Sequence, residues 1–136
     1  MPASPPLRLI IAEDDPASLR LYRTYAERRG HQVLAAQDGA STLLLAATEH
    51  PDAILLDIAL PKLDGRDVLR QLKASPHTAH IPILVVSASG GDPNVRSQLI
   101  ELGAHDVAEK PIDLSGTFAK VERLAERARQ ARPRDA

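Results

Sequence analysis

Ala53-Ile54-Leu55-Leu56-Asp57 is an apolar run that ends on a carboxylate and leads into Ile58-Ala59-Leu60-Pro61-Lys62-Leu63-Asp64-Gly65. Bounded by Pro51-Asp52 before and a Pro/Asp/Gly loop after, the run reads as a strand of a parallel sheet, buried on both faces. Asp57, at its end, is held on a rigid element and presented to a loop. In an open α/β sheet that carboxyl edge is where ligands bind.

Upstream, residues 7–12 have strand character and run into Glu13-Asp14-Asp15-Pro16, where Asp15 caps a helix that has Pro16 at its first position. Leu21, Tyr22, Tyr25 and Ala26 are spaced as the buried stripe of that helix, with Arg20, Arg23 and Glu27 opposite and Gly30 as its stop. Residues 32–36 form a second strand, and Asp38-Gly39 opens a helix with Leu43, Leu44 and Ala47 inward. Downstream, Gly65 starts a helix that buries Val68, Leu69 and Leu72, and residues 81–86 are the next strand. Asp92-Pro93 repeats the cap-plus-proline start, with Val95, Leu99 and Leu102 as the stripe and Gly103 as the end. Residues 106–108 are placed as a strand by position more than by pattern. Leu114, Phe118, Val121, Ala125 and Ala128 mark a last helix, stopped near Pro133. Strand and helix thus alternate through the chain, which implies an α/β domain with one parallel sheet, right-handed crossovers and helices on both faces. Glu13, Asp14, Asp57, Ser87 and Lys110 all fall on its carboxyl edge.

The 136 residues fit one domain, expected over 7–131, with a disordered lead at 1–6 and a tail at 132–136. A chain of this length buries roughly two-thirds of its unfolded surface. With three aromatic residues (Tyr22, Tyr25, Phe118), the core must be aliphatic. A net charge of −1 argues against nucleic acid or a membrane surface as the main partner. The lack of cysteine excludes disulfides, thiol catalysis and cysteine-bound metals. The first residues have neither the charged nor the apolar region of a signal peptide, so a cytoplasmic location is expected.

Taken singly, Asp57 reads as a loop residue, Ser87 as a hydroxyl bonded to backbone and Lys110 as a surface charge. Their convergence gives them chemistry. Glu13, Asp14 and Asp57 repel one another unless a cation sits among them. Magnesium, which takes oxygen ligands, one or two carboxylates and a phosphate oxygen, fits this set. His77 and His80 lie in a loop and are not expected to bind metal. Asp57 can then attack phosphorus, with Lys110 as a second positive charge and Ser87 as a hydroxyl donor, and the product is an acyl phosphate.

On these residues the chain resembles the receiver domains of bacterial two-component response regulators. The resemblance runs from about Leu7 to Ala131 and rests on Glu13-Asp14, on Asp57 with Pro61 and Asp64-Gly65 behind it, on Ser87-Ala88, and on Lys110-Pro111. It implies a flavodoxin-like, three-layer, doubly wound fold with a five-stranded parallel sheet in order 2-1-3-4-5, and a cis Lys110-Pro111 bond. It implies that Asp57 receives a phosphoryl group from a phosphohistidine of a sensor histidine kinase or histidine phosphotransfer domain. Asp14 and Asp57 would bind magnesium directly, Glu13 largely through water, and the backbone carbonyl of Ala59 would complete the protein ligands. Ser87 and Lys110 would hold the phosphoryl oxygens.

Such a domain catalyses its own phosphorylation and dephosphorylation and turns over no separate substrate. It signals to a downstream protein or passes the phosphoryl group on. No output domain fits in the chain, so a stand-alone receiver is expected, of open oligomeric state, with Leu19 on its first helix as a candidate kinase-side contact.

One position departs from the pattern. Similar receivers usually carry Tyr or Phe three residues before the lysine, and here the residue is Val107, short and restricted in rotamer. Activation is therefore expected to be read through the loop after Ser87, where Gly90-Gly91 offers backbone freedom. Small residues at Ala59 and Ser89 are expected to leave water free access to the acyl phosphate.

A haloacid-dehalogenase-type phosphatase resembles this region less, because it needs a second Asp two residues after the nucleophile, where Ala59 stands. No Gly-x-Gly-x-x-Gly follows the first strand, against dinucleotide binding. The alternative from another class is a pseudo-receiver, a docking module that is not phosphorylated. Such domains usually lose an acidic residue or the lysine, and this chain keeps both.

Overall fold

Four aspartates start four of the five helices. The side chains of Asp15, Asp38, Asp64 and Asp92 accept the backbone N–H groups of Ser18, Ser41, Arg66 and Asn94, which the first helical turn would otherwise leave unpaired. The computed structural model describes residues 5–131. It contains strands β1 (Arg8–Ala12), β2 (Gln32–Ala36), β3 (Ala53–Asp57), β4 (Ile83–Ser87) and β5 (Asp106–Glu109). Between and after them run helices α1 (Pro16–Arg28), α2 (Gly39–Glu49), α3 (Gly65–Ala74), α4 (Pro93–Leu102) and α5 (Leu114–Ala131). The strands form one parallel sheet in the order β2-β1-β3-β4-β5, as expected. The expected lead falls mostly on residues 1–4, which, like the tail and Pro133, lie outside the described residues; Pro5 and Pro6 are exposed coil. No helix is long and apolar enough to cross a membrane among the described residues.

Side-chain alternation along the strands builds two core layers. Ile54 and Leu56 of β3 pack with Val68, Leu69 and Leu72 of α3 and Leu99 of α4. Leu55, between them, packs on the other face with Leu19, Tyr22 and Ala26 of α1 and with Phe118, Val121 and Ala125 of α5. Asp57 has the parity of Leu55 and so leaves the sheet on the α1/α5 side.

Two helices are rotated from their expected phase. On α1 the inward residues are Leu19, Tyr22 and Ala26, whereas Leu21 is 52% exposed. Leu19 is 8% exposed and belongs to the core, which removes it as a kinase-side contact. On α2 the buried face is Gly39, Thr42 and Ala46, while Leu44 is 65% exposed and Ala47 is also outward. Close approach decides this case: a Cβ on Gly39 would lie 2.7 Å from Leu63 Cβ, so small residues face the neighbouring loop and leucine is turned away.

At the opposite edge of the sheet, a polar network ties α5 to the start of the chain. Leu7 N–H donates to His31 Nδ1 at 3.1 Å, His31 Nε2 lies 2.7 Å from Glu122 Oε2, and Arg29 clasps the same carboxylate at 2.8 and 2.5 Å. Burial pushes the Glu122 carboxyl up, and bonds from Arg29 and His31 outweigh it and hold it below the usual range.

The phase of α1 has a direct test in urea unfolding. Leu19→Ala should cost about 2–4 kcal/mol as a core truncation, and Leu21→Ala no more than about 0.5 kcal/mol.

Candidate functional site

The carboxyl ends of β1, β3, β4 and β5 deliver the expected residues to one cleft. Glu13 directly follows β1, and its backbone N–H is fixed to Ala36 O at 2.9 Å. Glu13 and Asp57 are each 4% exposed, and Asp14 is open to solvent. The ligand oxygens of Glu13, Asp14 and Asp57 lie within 4.8 Å of one another, and this is the one such group of three or more His, Asp or Glu side chains among the described residues. His77 and His80 are not in it.

Asp57 is held at both oxygens. Oδ1 accepts the Ala59 N–H at 2.9 Å and Oδ2 accepts Lys110 Nζ at 2.5 Å. The loop that follows doubles back: Leu63 N–H bonds Pro61 O at 2.9 Å around Lys62, whose φ is 71°, and Gly65 N–H bonds Ile58 O at 3.2 Å. A Cβ on Gly65 would sit 2.5 Å from that oxygen, which explains the glycine. Ala59 is exposed, and its N–H is the group the structure engages.

Ser87 ends β4 at 5% exposure, one residue past Val86, the partner of Asp57 in the sheet. Its hydroxyl is occupied by the Ser89 N–H at 3.1 Å and makes no bond to Asp57. Its carbonyl accepts Lys110 N–H at 3.0 Å and Gly90 N–H at 3.1 Å, so one backbone oxygen joins the β4–α4 loop to the lysine. The Lys110-Pro111 bond is cis.

Electrostatics follow from this crowding. Burial, then the hydrogen bond and charge of Asp57, push the Glu13 carboxyl from 4.5 up to about 7, against the Asp15 N–H and Lys110. Burial pushes the Lys110 ammonium down, but the Asp57 bond and charge, with Glu13, outweigh it and keep the amine above the ordinary lysine range. Asp57 is thus ion-paired with Lys110, and Glu13 is biased toward its protonated form.

Sequence reasoning missed the floor of the cleft. A cavity of about 10 Å³ under the carboxylates is lined by Glu13, Asp57, Ile11, Leu55, Val86 and Tyr22. Helical periodicity marks Tyr22 as core and does not show that the residue borders this cavity. The tilt of helical side chains toward the helix N-terminus is the signal that could have revealed it.

Val107, the departure noted above, is buried in β5. Its carbonyl accepts Arg96 NH1 of α4 at 2.9 Å, and Arg96 NH2 reaches Asp106 at 2.6 Å. Gly90 in the β4–α4 loop lies directly on β5, since a Cβ there would be 2.7 Å from Ala108 O.

Comparison with known proteins agrees with the geometry. The family model described as response regulator receiver domain matches residues 9–122. Response regulator PleD of Caulobacter vibrioides is 39% identical over 117 residues, which cover 86% of this chain and 26% of PleD. The DNA-binding dual master transcriptional regulator RpaA of Synechocystis is 38% identical over 120 residues, covering 88% of this chain and 49% of RpaA. The chain thus spans from a quarter to a half of the length of these relatives. Among solved structures, the receiver domain of the Francisella response regulator 1452 superimposes with a TM-score of 0.83 at 26% identity, covering 89% of this chain and 98% of that one. The receiver domain of the Pseudomonas aeruginosa sensor histidine kinase PA1611, which has a magnesium ion in its active-site cleft, has a TM-score of 0.81 at 24% identity, covering 90% of this chain and 99% of that one.

The raised Glu13 carboxyl sets a sign for pH dependence. Its folded value lies above its unfolded one, so the stability it contributes is full below about pH 4.5 and is lost as pH rises through about 7. In metal-free buffer the melting temperature of wild type should therefore fall relative to that of Glu13→Gln between about pH 5 and about pH 8. Two parallel melting curves would refute this assignment.

Proposed function

The chain belongs to the response regulator receiver domain family, and from that premise we propose that Asp57 is its phosphoacceptor, charged by a phosphohistidine of a sensor histidine kinase or histidine phosphotransfer domain. The chain is homologous to phosphoacceptor response regulators, and the observation that carries the assignment is Lys110 Nζ at 2.5 Å from Asp57 Oδ2 within a ring of carboxylates.

The donor set fits magnesium. Three carboxylates share one small space, all the donors are oxygen, and burial together with Asp57 pushes the Glu13 carboxyl up to about 7. Glu13, Asp14, Asp57 and the backbone carbonyl of Ala59 would hold the ion. When bound, the ion neutralises charge on the equatorial oxygens of the phosphoryl group in transfer.

The chain's own residues do the rest. A carboxylate oxygen of Asp57 forms the new bond to phosphorus as the phosphorus–nitrogen bond of the phosphohistidine breaks and the imidazole leaves with the electron pair. Ala59 N–H fixes the plane of the Asp57 carboxylate, so the attacking oxygen is positioned in advance. Lys110 stays beside the acyl phosphate as the fixed positive charge, and Ser87, whose oxygen accepts the Ser89 N–H, donates its own hydrogen to a phosphoryl oxygen.

The signal then leaves through the β4–α4 loop. Gly90 packs on β5 without space for a methyl group, and α4 is tied to the same strand by Arg96, so movement at Ser87 passes through backbone contacts in place of an aromatic side chain. The output is contact with a downstream protein or onward phosphotransfer, in the cytoplasm.

Incubation with acetyl phosphate and magnesium, read by intact mass, should add one phosphoryl group to wild type and none to Asp57→Asn. An unmodified wild type would mark a docking module that is not phosphorylated. With beryllofluoride, backbone shifts should be largest at Gly90, Gly91 and α4. Changes confined to the surroundings of Val107, with the two glycines unmoved, would reject the loop route.

A further inference from the structure

Helix α5 is longer than the sheet it covers. Its 18 residues span about 27 Å at the helical rise, whereas a strand of 5 residues such as β4 spans about 17 Å. Because α5 starts after Lys110, at the carboxyl edge, its last turns project past the amino edge of the sheet. There Leu124, Ala128 and Ala131, one stripe at helical spacing, share with Pro82, the residue before β4, an open groove of about 600 Å³. That volume is in the range of small-molecule sites. Two of the three helix residues are alanine, and their short side chains leave the space.

The groove has a cationic rim. Its other lining residues are His80, His105 and Arg127, and no carboxylate is among the described ones. Arg127 is exposed and makes no ion pair or hydrogen bond with the described residues, whereas Arg129, two positions on, is paired with Asp52 at 3.3 Å. His105 Nδ1 accepts the Ile83 N–H at 3.1 Å, so the ring hydrogen is on Nε2, which is left as a donor. Burial, then the charge of Lys73, hold that imidazole below its ordinary range, so it is neutral near pH 7. The full charge of Arg127 outweighs the partial negative charge that the carbonyl end of a helix carries.

We propose that this groove is a second binding site, separate from the acid cleft, for a small apolar molecule that carries one anionic group. The apolar body lies along Pro82, Leu124 and Ala128, and the acid group meets Arg127 and the His105 Nε2–H. Ser87 is at the other end of β4, so occupancy of the groove does not draw on the chemistry of Asp57.

Two fluorescent probes with the same aromatic body separate charge from apolar contact: anilinonaphthalene sulfonate, which is anionic, and phenylnaphthylamine, which lacks the sulfonate. Both are titrated into wild type, Arg127→Gln, Ala128→Phe and, as a control for charge elsewhere on α5, Arg123→Gln. Arg123 and Arg127 are exposed, so their replacement leaves the core untouched. Wild type and Arg123→Gln should bind the sulfonate alike, and Arg127→Gln about tenfold more weakly, the low end for loss of a hydrogen bond to a charged group. The uncharged probe should bind wild type and Arg127→Gln equally, and Ala128→Phe should weaken both probes. A wild type that binds no sulfonate, an Arg127→Gln or Ala128→Phe that binds it as wild type does, or an equal loss in Arg123→Gln overturns the proposal. Sedimentation without probe is the last arm: a dimer that Arg127→Gln dissociates would seat a second copy in the groove, and overturns it as well.

Discussion

Three carboxylates with oxygens within 4.8 Å of one another are under mutual repulsion, and much of the molecule can be understood by how that repulsion is met. Lys110 answers it at Asp57, a proton answers it at Glu13, and solvent answers it at Asp14. These answers differ in kind. The lysine is covalently fixed, the proton comes and goes, and water is nearly indifferent.

The parallel sheet makes this arrangement cheap to hold. Glu13 and Lys110 sit one residue beyond β1 and β5, and Asp57 is the last residue of β3, so each is carried by a strand packed in the core and little ordering entropy remains to be spent at the edge. The same rigidity limits how information can leave. With Val107 buried and short, what meets β5 near Ser87 is Gly90, which lies on the Ala108 carbonyl, and α4, which Arg96 ties to the Val107 carbonyl.

Most of this was legible in the residues because the strands are short, apolar and punctuated by Asp, Pro and Gly. Asp15, Asp38, Asp64 and Asp92 announce helix starts by chemistry that acts within a few residues. Convergence of Glu13, Asp57, Ser87 and Lys110 follows from topology alone. Helix rotation did not follow. Leu19 and Leu21 are two positions apart, both apolar, and the choice between them is made by a sheet that local periodicity does not contain. Leu44 lost its expected place to Gly39 and Ala46 because α2 approaches its neighbours too closely for leucine. The Arg29–His31–Glu122 network spans 93 residues in sequence, beyond any spacing rule, and Tyr22 looked like ordinary core because its ring is ordinary core.

The His31 link has a mechanical meaning. Because Leu7 N–H donates to Nδ1, the ring hydrogen must sit on Nε2 and point at Glu122, which fixes one tautomer between two opposed partners. The leading end of β1 is thereby riveted through an imidazole to the closing helix, as well as laced to β2 and β3. The entry of β1 and the body of α5 therefore move as one piece, joined by an imidazole where the sheet alone would leave them separate.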